Sequence, residues 1–89
     1  MKAIWKYQLQ VEDLQTMHMP KGAKVLSVGV QHNIICVWAL VDIGEMEMQP
    51  VKFKVIGTGN PPGSLVGYAF LGTVMLLGGS FVSHVFMRQ

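Results

Sequence analysis

Apolar and polar residues alternate with a period of two along most of this chain, the pattern of strands with one face buried. Ala3 to Val11 places Trp5, Tyr7, Leu9 and Val11 on one side and Ile4, Lys6, Gln8 and Gln10 on the other. Glu12-Asp13 breaks the run, and Leu14 to Met19 reads as a second, weaker strand. Pro20-Lys21-Gly22 predicts a turn, with proline preset for its first corner and glycine free to take positive φ. Lys24 to Gln31 alternates again, with Leu26, Val28 and Val30 opposite Val25, Ser27, Gly29 and Gln31. His32-Asn33 fits a two-residue hairpin loop, since asparagine tolerates the left-handed conformation.

Ile34 to Val41 is an almost uninterrupted apolar run, which predicts burial on both faces and the centre of a sheet. Asp42 to Pro50 reads as the longest polar connection. Val51 to Ile56 follows as a strand with Val51, Phe53 and Val55 opposite Lys52 and Lys54, and Gly57 to Gly63 is irregular by its glycines and prolines. No convincing amphipathic helix appears anywhere. Six or seven short strands separated by turn signals predict one all-β domain over residues 1–89, a small antiparallel sandwich or partly open barrel.

The last third admits a second reading. Val55 to Met87 contains no Lys, Arg, Asp or Glu, and Leu65 to Met87 is long enough to cross a hydrocarbon core, which takes roughly 20 apolar residues. Gly78-Gly79, however, divides this stretch into Val66 to Leu77 and Ser80 to Met87, and a Gly-Gly pair between two β-rich runs is a hairpin signal. The hairpin is preferred, and the membrane is left out of the expected partners.

Composition narrows the function classes. The chain is 51% hydrophobic and 13% charged, about half the usual charged fraction of roughly 25%, so apolar surface hidden in an oligomer is expected, a homodimer first. A net charge of +2 without a Lys/Arg cluster gives no reason to expect direct nucleic-acid binding. The single Cys36 rules out an intrachain disulfide and suits a reducing compartment. Cys36, Asp42, His18, His32 and His84 carry no local signature of a nucleophile, base and orienting acid. No metal-ligand spacing is present, so no enzyme activity and no cofactor are expected.

Two groups of residues are candidates for binding. Gly57-Thr58-Gly59 could present successive backbone N–H groups to an anion as a nest, with Thr58, Gly59 and Asn60 as contacts and Lys52 and Lys54 just upstream. The alternative is that the glycines and prolines simply turn a corner. Trp5 and Tyr7, the loop methionines Met46 and Met48, and Val85 on the last strand are candidates for a protein interface, aromatic residues being common hot spots. The last strand, Ser80 to Met87, is the expected edge for pairing between copies.

Five ordered blocks add a resemblance. Ile4-Trp5-Lys6-Tyr7, Met19 to Val28, Trp38-Ala39-Leu40-Val41-Asp42, Ile56-Gly57-Thr58-Gly59-Asn60-Pro61 and Gly78 to Phe86 resemble a family of short bacteriophage and prophage proteins. The likeness covers nearly the whole chain. It implies a viral origin, the host cytoplasm as the working place, and an accessory product that occupies a host protein complex, as an anti-CRISPR or similar counter-defence factor does. Sequestration of a nucleotide-like ligand and a virion or assembly role are the alternatives.

Overall fold

The computed structural model describes residues 1–89. Its strands are β1 (Lys2–Gln8), β2 (Gln15–Pro20), β3 (Lys24–Gln31), β4 (Ile34–Asp42), β5 (Met48–Gly57), β6 (Tyr68–Leu76) and β7 (Phe81–Arg88). They form two antiparallel sheets, one ordered β1-β4-β3 and the other β2-β5-β7-β6. The sheets stack as a sandwich and do not close into a barrel. No helix is long and apolar enough to cross a membrane.

Alternation builds the core between the sheets. Ile35, Val37, Ala39 and Val41 of β4 face Phe53 and Val55 of β5, Val85 of β7 and Val74 and Leu76 of β6, with Leu9 and Met19 closing the cluster. The apolar run at 34–41 is thus the middle strand of its sheet. Cys36 is also buried, but its register position turns it to the outer face of that sheet, away from the core.

The turns follow the local chemistry. His32 and Asn33 both take positive φ (53° and 61°), as a two-residue hairpin between right-twisted strands requires. Between β6 and β7 the chain reverses through Leu77–Gly79, with positive φ at Leu77, Gly78 and Gly79. Proline does not form the corner of the first turn. Pro20 is still in β2, and its carbonyl accepts from Ala23 N–H at 3.0 Å, so Lys21 and Gly22 are the two corner residues.

The end of β1, the interior of β3 and the start of β5 differ from the sequence pattern. β1 ends at Gln8, because the chain must leave the three-stranded sheet for β2 in the other. Leu9 keeps one further bond to Ile35, and the Gln15 side chain stitches the crossing by accepting from Gln10 N–H (2.7 Å) and donating to the Gln10 carbonyl (2.8 Å). β3 bulges between Val25 and Ser27, which brings Val25 as well as Val28 against the core. β5 begins at Met48, not Val51, so part of the expected polar connection is strand and Pro50 lies inside it.

The register explains why that proline is tolerated. Lys21 N–H donates to the Glu47 carbonyl at 2.8 Å, so odd-numbered residues of β5 direct their backbone groups toward β2. Pro50 therefore points its nitrogen to the other side, where the β5–β7 ladder has already ended at Phe53↔Met87. No ladder hydrogen bond is lost there.

The last strand is not an edge. β7 lies between β5 and β6, and Val85 is fully buried in the core. The edges of the four-stranded sheet are β2 and β6.

Candidate functional site

β5 and β6 both run antiparallel to β7 and lie on either side of it, so they are parallel to one another. Gly57 stands opposite Ser83 near one end of β7, and Tyr68 opposite Arg88 at the other. Residues 58–67 therefore run back along the sheet as a strap, not as a tight corner. Lys54 fastens it: its ammonium donates to the carbonyls of Pro62 (3.2 Å) and Ser64 (2.8 Å). Ile56 and Phe86, both directed outward by their register, line a hollow with Pro62 and Leu65 of the strap. Ile56 is buried as a result, although it faces away from the core.

His84 sits in the same hollow, and each of its ring nitrogens meets a threonine hydroxyl. Nε2 lies 2.8 Å from Thr58 Oγ1 and Nδ1 lies 3.0 Å from Thr73 Oγ1. In the neutral ring one nitrogen donates and the other accepts, and the hydroxyls can serve either tautomer. Thr58 and Asn60 thus belong to a loop pinned from both sides: Thr58 N–H donates to the Val82 carbonyl (3.0 Å) and Asn60 N–H to the Gly57 carbonyl (3.1 Å).

Those bonds change the meaning of the glycine loop. The central N–H of the Gly57-Thr58-Gly59 nest is already engaged within the fold, and so is the Asn60 N–H beside it. The hollow measures about 190 Å³, below the roughly 300–1,000 Å³ of small-molecule sites. Thr58, Gly59 and Asn60 do line it together, but the lysines do not join them. Lys54 holds the strap, and Lys52 lines a separate groove.

Beyond the strap the outer face of β6 and β7 is open and aromatic. Phe70 and Phe86 are cross-strand partners whose rings meet at 5.5 Å, tilted by 58°. Tyr68 lies on the same face with Lys54 Nζ 5.0 Å and Arg88 Cζ 5.7 Å from its ring centre, both within cation–π range. Phe70 is 58% and Met75 62% exposed, and by register Thr73, Val82 and His84 complete the face. It contains no acidic residue. β6 also bulges between Phe70 and Gly72, which lets Leu71 pack against the core while Phe70 keeps its outward direction.

The five predicted interface residues do not form one surface. Trp5 lies on the edge strand β1 and is 43% exposed, whereas Tyr7, two residues on, packs against the core. The Tyr7 hydroxyl is buried without a partner, and burial raises its pKa above the ordinary value. Met46 is the most exposed large apolar side chain, at 92%, in the β4–β5 loop, and Met48 begins β5. Val85 is buried and touches no solvent. The aromatic pair Phe70 and Phe86 was not singled out by the sequence. Its signal was that apolar residues fall on both faces of β6 and β7, more than one buried face can take up.

Cys36 and His84 fall on the outer faces of different sheets. The Cys36 thiol reaches only the Ile34 carbonyl, at 3.5 Å. Asp42 has a lowered pKa, first because it accepts from Gly44 N–H and then because the N-terminal ammonium lies 3.7 Å away. These are structural contacts at the end of β4.

Over residues 1–89 the chain matches the family described as Domain of unknown function (DUF7352). It belongs to this family. The DUF7352 match spans both sheets, the strap and the aromatic face. No curated protein and no solved structure matches the chain.

Proposed function

We propose that this DUF7352 protein works by binding another protein through the outer face of β6 and β7. The carrying observation is the open aromatic face, in which Phe70 and Met75 stand exposed beside the Phe70–Phe86 pair. An outward sheet face on a domain this small is ordinarily polar, and apolar surface left together on one face is characteristic of a docking site. Aromatic side chains rimmed by cations are also the composition of interface hot spots.

The partner complementary to this face is a protein surface that offers apolar pockets with acidic residues around them, because Lys54 and Arg88 border the aromatics. In the resemblance to phage proteins that partner is a host defence complex, and the chain acts as a counter-defence inhibitor in the host cytoplasm. A second copy of the chain is the competing occupant.

Light scattering after size exclusion, in detergent-free buffer and with a bacterial host lysate added, tests the proposal. A monomer that moves into a larger particle of fixed composition supports it. A stable homodimer whose Phe70 is shielded from added lysate proteins would assign the face to self-association instead.

A further inference from the structure

The four edge strands of the sandwich are not alike. β2 ends in Pro20, whose nitrogen faces the free side, because the odd-numbered residues of β2 bond toward β5 as Lys21 does to Glu47. β3 and β6 each carry a bulge and lie against one another at the corner between the sheets. Prolines, bulges and covering elements are the means by which edges resist an added strand. β1 has none of these: it runs from Lys2 to Gln8 in unbroken register with β4.

The direction of the backbone groups shows what β1 offers. Leu9 N–H donates to the Ile35 carbonyl (2.8 Å) and Ile43 N–H to the Met1 carbonyl (3.0 Å), continuing the β1–β4 register at both ends. Odd-numbered residues of β1 therefore bond to β4, and Lys2, Ile4, Lys6 and Gln8 turn their N–H and carbonyl groups away from the sheet. No loop reaches them with a hydrogen bond. Two large apolar side chains flank this free edge: Ile4 on the outer face is 59% exposed, and Trp5, on the inner side but outside the core cluster, is 43% exposed. The outer face is also positive. Lys2, Lys6 and Lys24 stand there against one carboxylate, Asp42, and Lys6 bonds only the neutral Gln31 amide.

We propose that β1 is a docking edge for an extended acidic segment of another protein, which adds to this sheet as a fourth, antiparallel strand. The free N–H and carbonyl groups of Ile4 and Lys6 supply main-chain bonds, and alternate side chains supply the selection. Two carboxylates four residues apart in such a segment fall beside Lys6 and Lys2, with the residue midway against Ile4 and its neighbours against Trp5 and Ala3. A second copy of the chain is the poorer occupant. Pairing through β1 would crowd Lys2 and Lys6 of both copies onto two adjacent strands that carry no carboxylate. This edge belongs to the other sheet from the aromatic face, and either surface can fail without the other.

The test is an NMR titration of the full chain with the capped peptide Thr-Glu-Val-Val-Tyr-Glu-Thr. Two further peptides serve as comparisons, one with lysine in place of both glutamates and one N-methylated at the second valine. The acidic peptide should shift the β1 resonances and slow amide exchange at Ile4 and Lys6, whose N–H groups are free without it. It should bind about 10-fold more tightly than the lysine peptide, the effect of two cross-strand charge pairs turned repulsive, and more weakly as salt rises. The N-methylated peptide should not bind. Lys2→Glu/Lys6→Glu should reverse the preference between the two charged peptides. Ile4→Pro should abolish binding while the ladder to β4 persists, since that N–H has no partner within the fold. Folding of each variant is read from the same spectra. Absence of binding at millimolar peptide overturns the proposal, as does equal affinity for the lysine or the N-methylated peptide, or a homodimer that Ile4→Pro dissociates.

Discussion

A methyl group placed on Gly72 would lie 2.8 Å from Cγ1 of Val28, so the edge strands β6 and β3 of the two sheets are pressed together at this point. Val28 is β-branched and stiff at χ1, and it packs against the core. Gly72→Ala should therefore destabilise the protein by about 1–3 kcal/mol, as overpacking does. Urea unfolding of Gly72→Ala, Val28→Ala and the double variant checks this. The double variant should lose less than the sum of the two single losses, because removing the Val28 methyls makes room for the new one.

Ser83 is fully buried on the inward face of β7, and its hydroxyl has no hydrogen-bond partner. An unsatisfied buried hydroxyl carries its desolvation cost uncompensated. Ser83→Ala should raise stability by about 1 kcal/mol, seen as a higher urea midpoint with an unchanged slope. A lower midpoint would mean that the hydroxyl has a bound water or another partner.

Asn33 does two things in the β3–β4 hairpin. It takes a positive φ of 61°, and its Oδ1 accepts from Leu77 N–H at 2.8 Å, bracing a turn in which Leu77 itself has φ 52°. Left-handed backbone costs a side chain such as leucine roughly 1–2 kcal/mol. Asn33→Gly should lose only the brace, and Asn33→Ala should lose the brace and the conformational tolerance. Hydrogen exchange at Ser80 N–H, which donates to the Leu77 carbonyl, should quicken in both variants.

Asp42 sets a pH dependence. Its folded pKa lies below the ordinary 3.8 because of the Gly44 N–H and the N-terminal ammonium. A depressed folded value means that this contribution to stability is fully present above the unfolded pKa and is lost as pH falls through the folded one. Asp42→Asn should flatten the stability curve below about pH 4 and leave its shape near neutrality unchanged. Equilibrium unfolding at a series of acid pH values reads this directly.

Much of the fold was legible because the local signals agreed with the tertiary solution. β3 runs from Lys24 to Gln31, and β4 begins at Ile34, as the alternation and the His32-Asn33 turn require. What stayed hidden depends on relationships between distant strands. The bulges at Val25/Ser27 and Phe70/Gly72 switch residues between faces in a way that alternation within one strand cannot express. Pro50 suggested a loop, and only the early end of the β5–β7 ladder shows why a strand accepts it. Val85 looked like an edge residue because chain-terminal strands often are, whereas the β2-β5-β7-β6 order places it centrally. The loop at Gly57 to Gly63 was recognised as irregular, but its role as a strap follows from the parallel relation of β5 and β6. For the same reason Thr58 could be named, but its bond to His84, which joins it to Thr73 through the other ring nitrogen, could not.

The binding face is tested most directly by affinity capture from a bacterial host lysate with the wild type and with a Phe70→Ser/Met75→Ser variant, side chains that are exposed and leave the core untouched. The account predicts one stoichiometric host protein or complex on the wild type, lost from the variant while its unfolding free energy falls by no more than about 1–2 kcal/mol, the loss of the Phe70–Phe86 cross-strand pair. Equal capture by both would contradict it, and the interface would then lie on another surface.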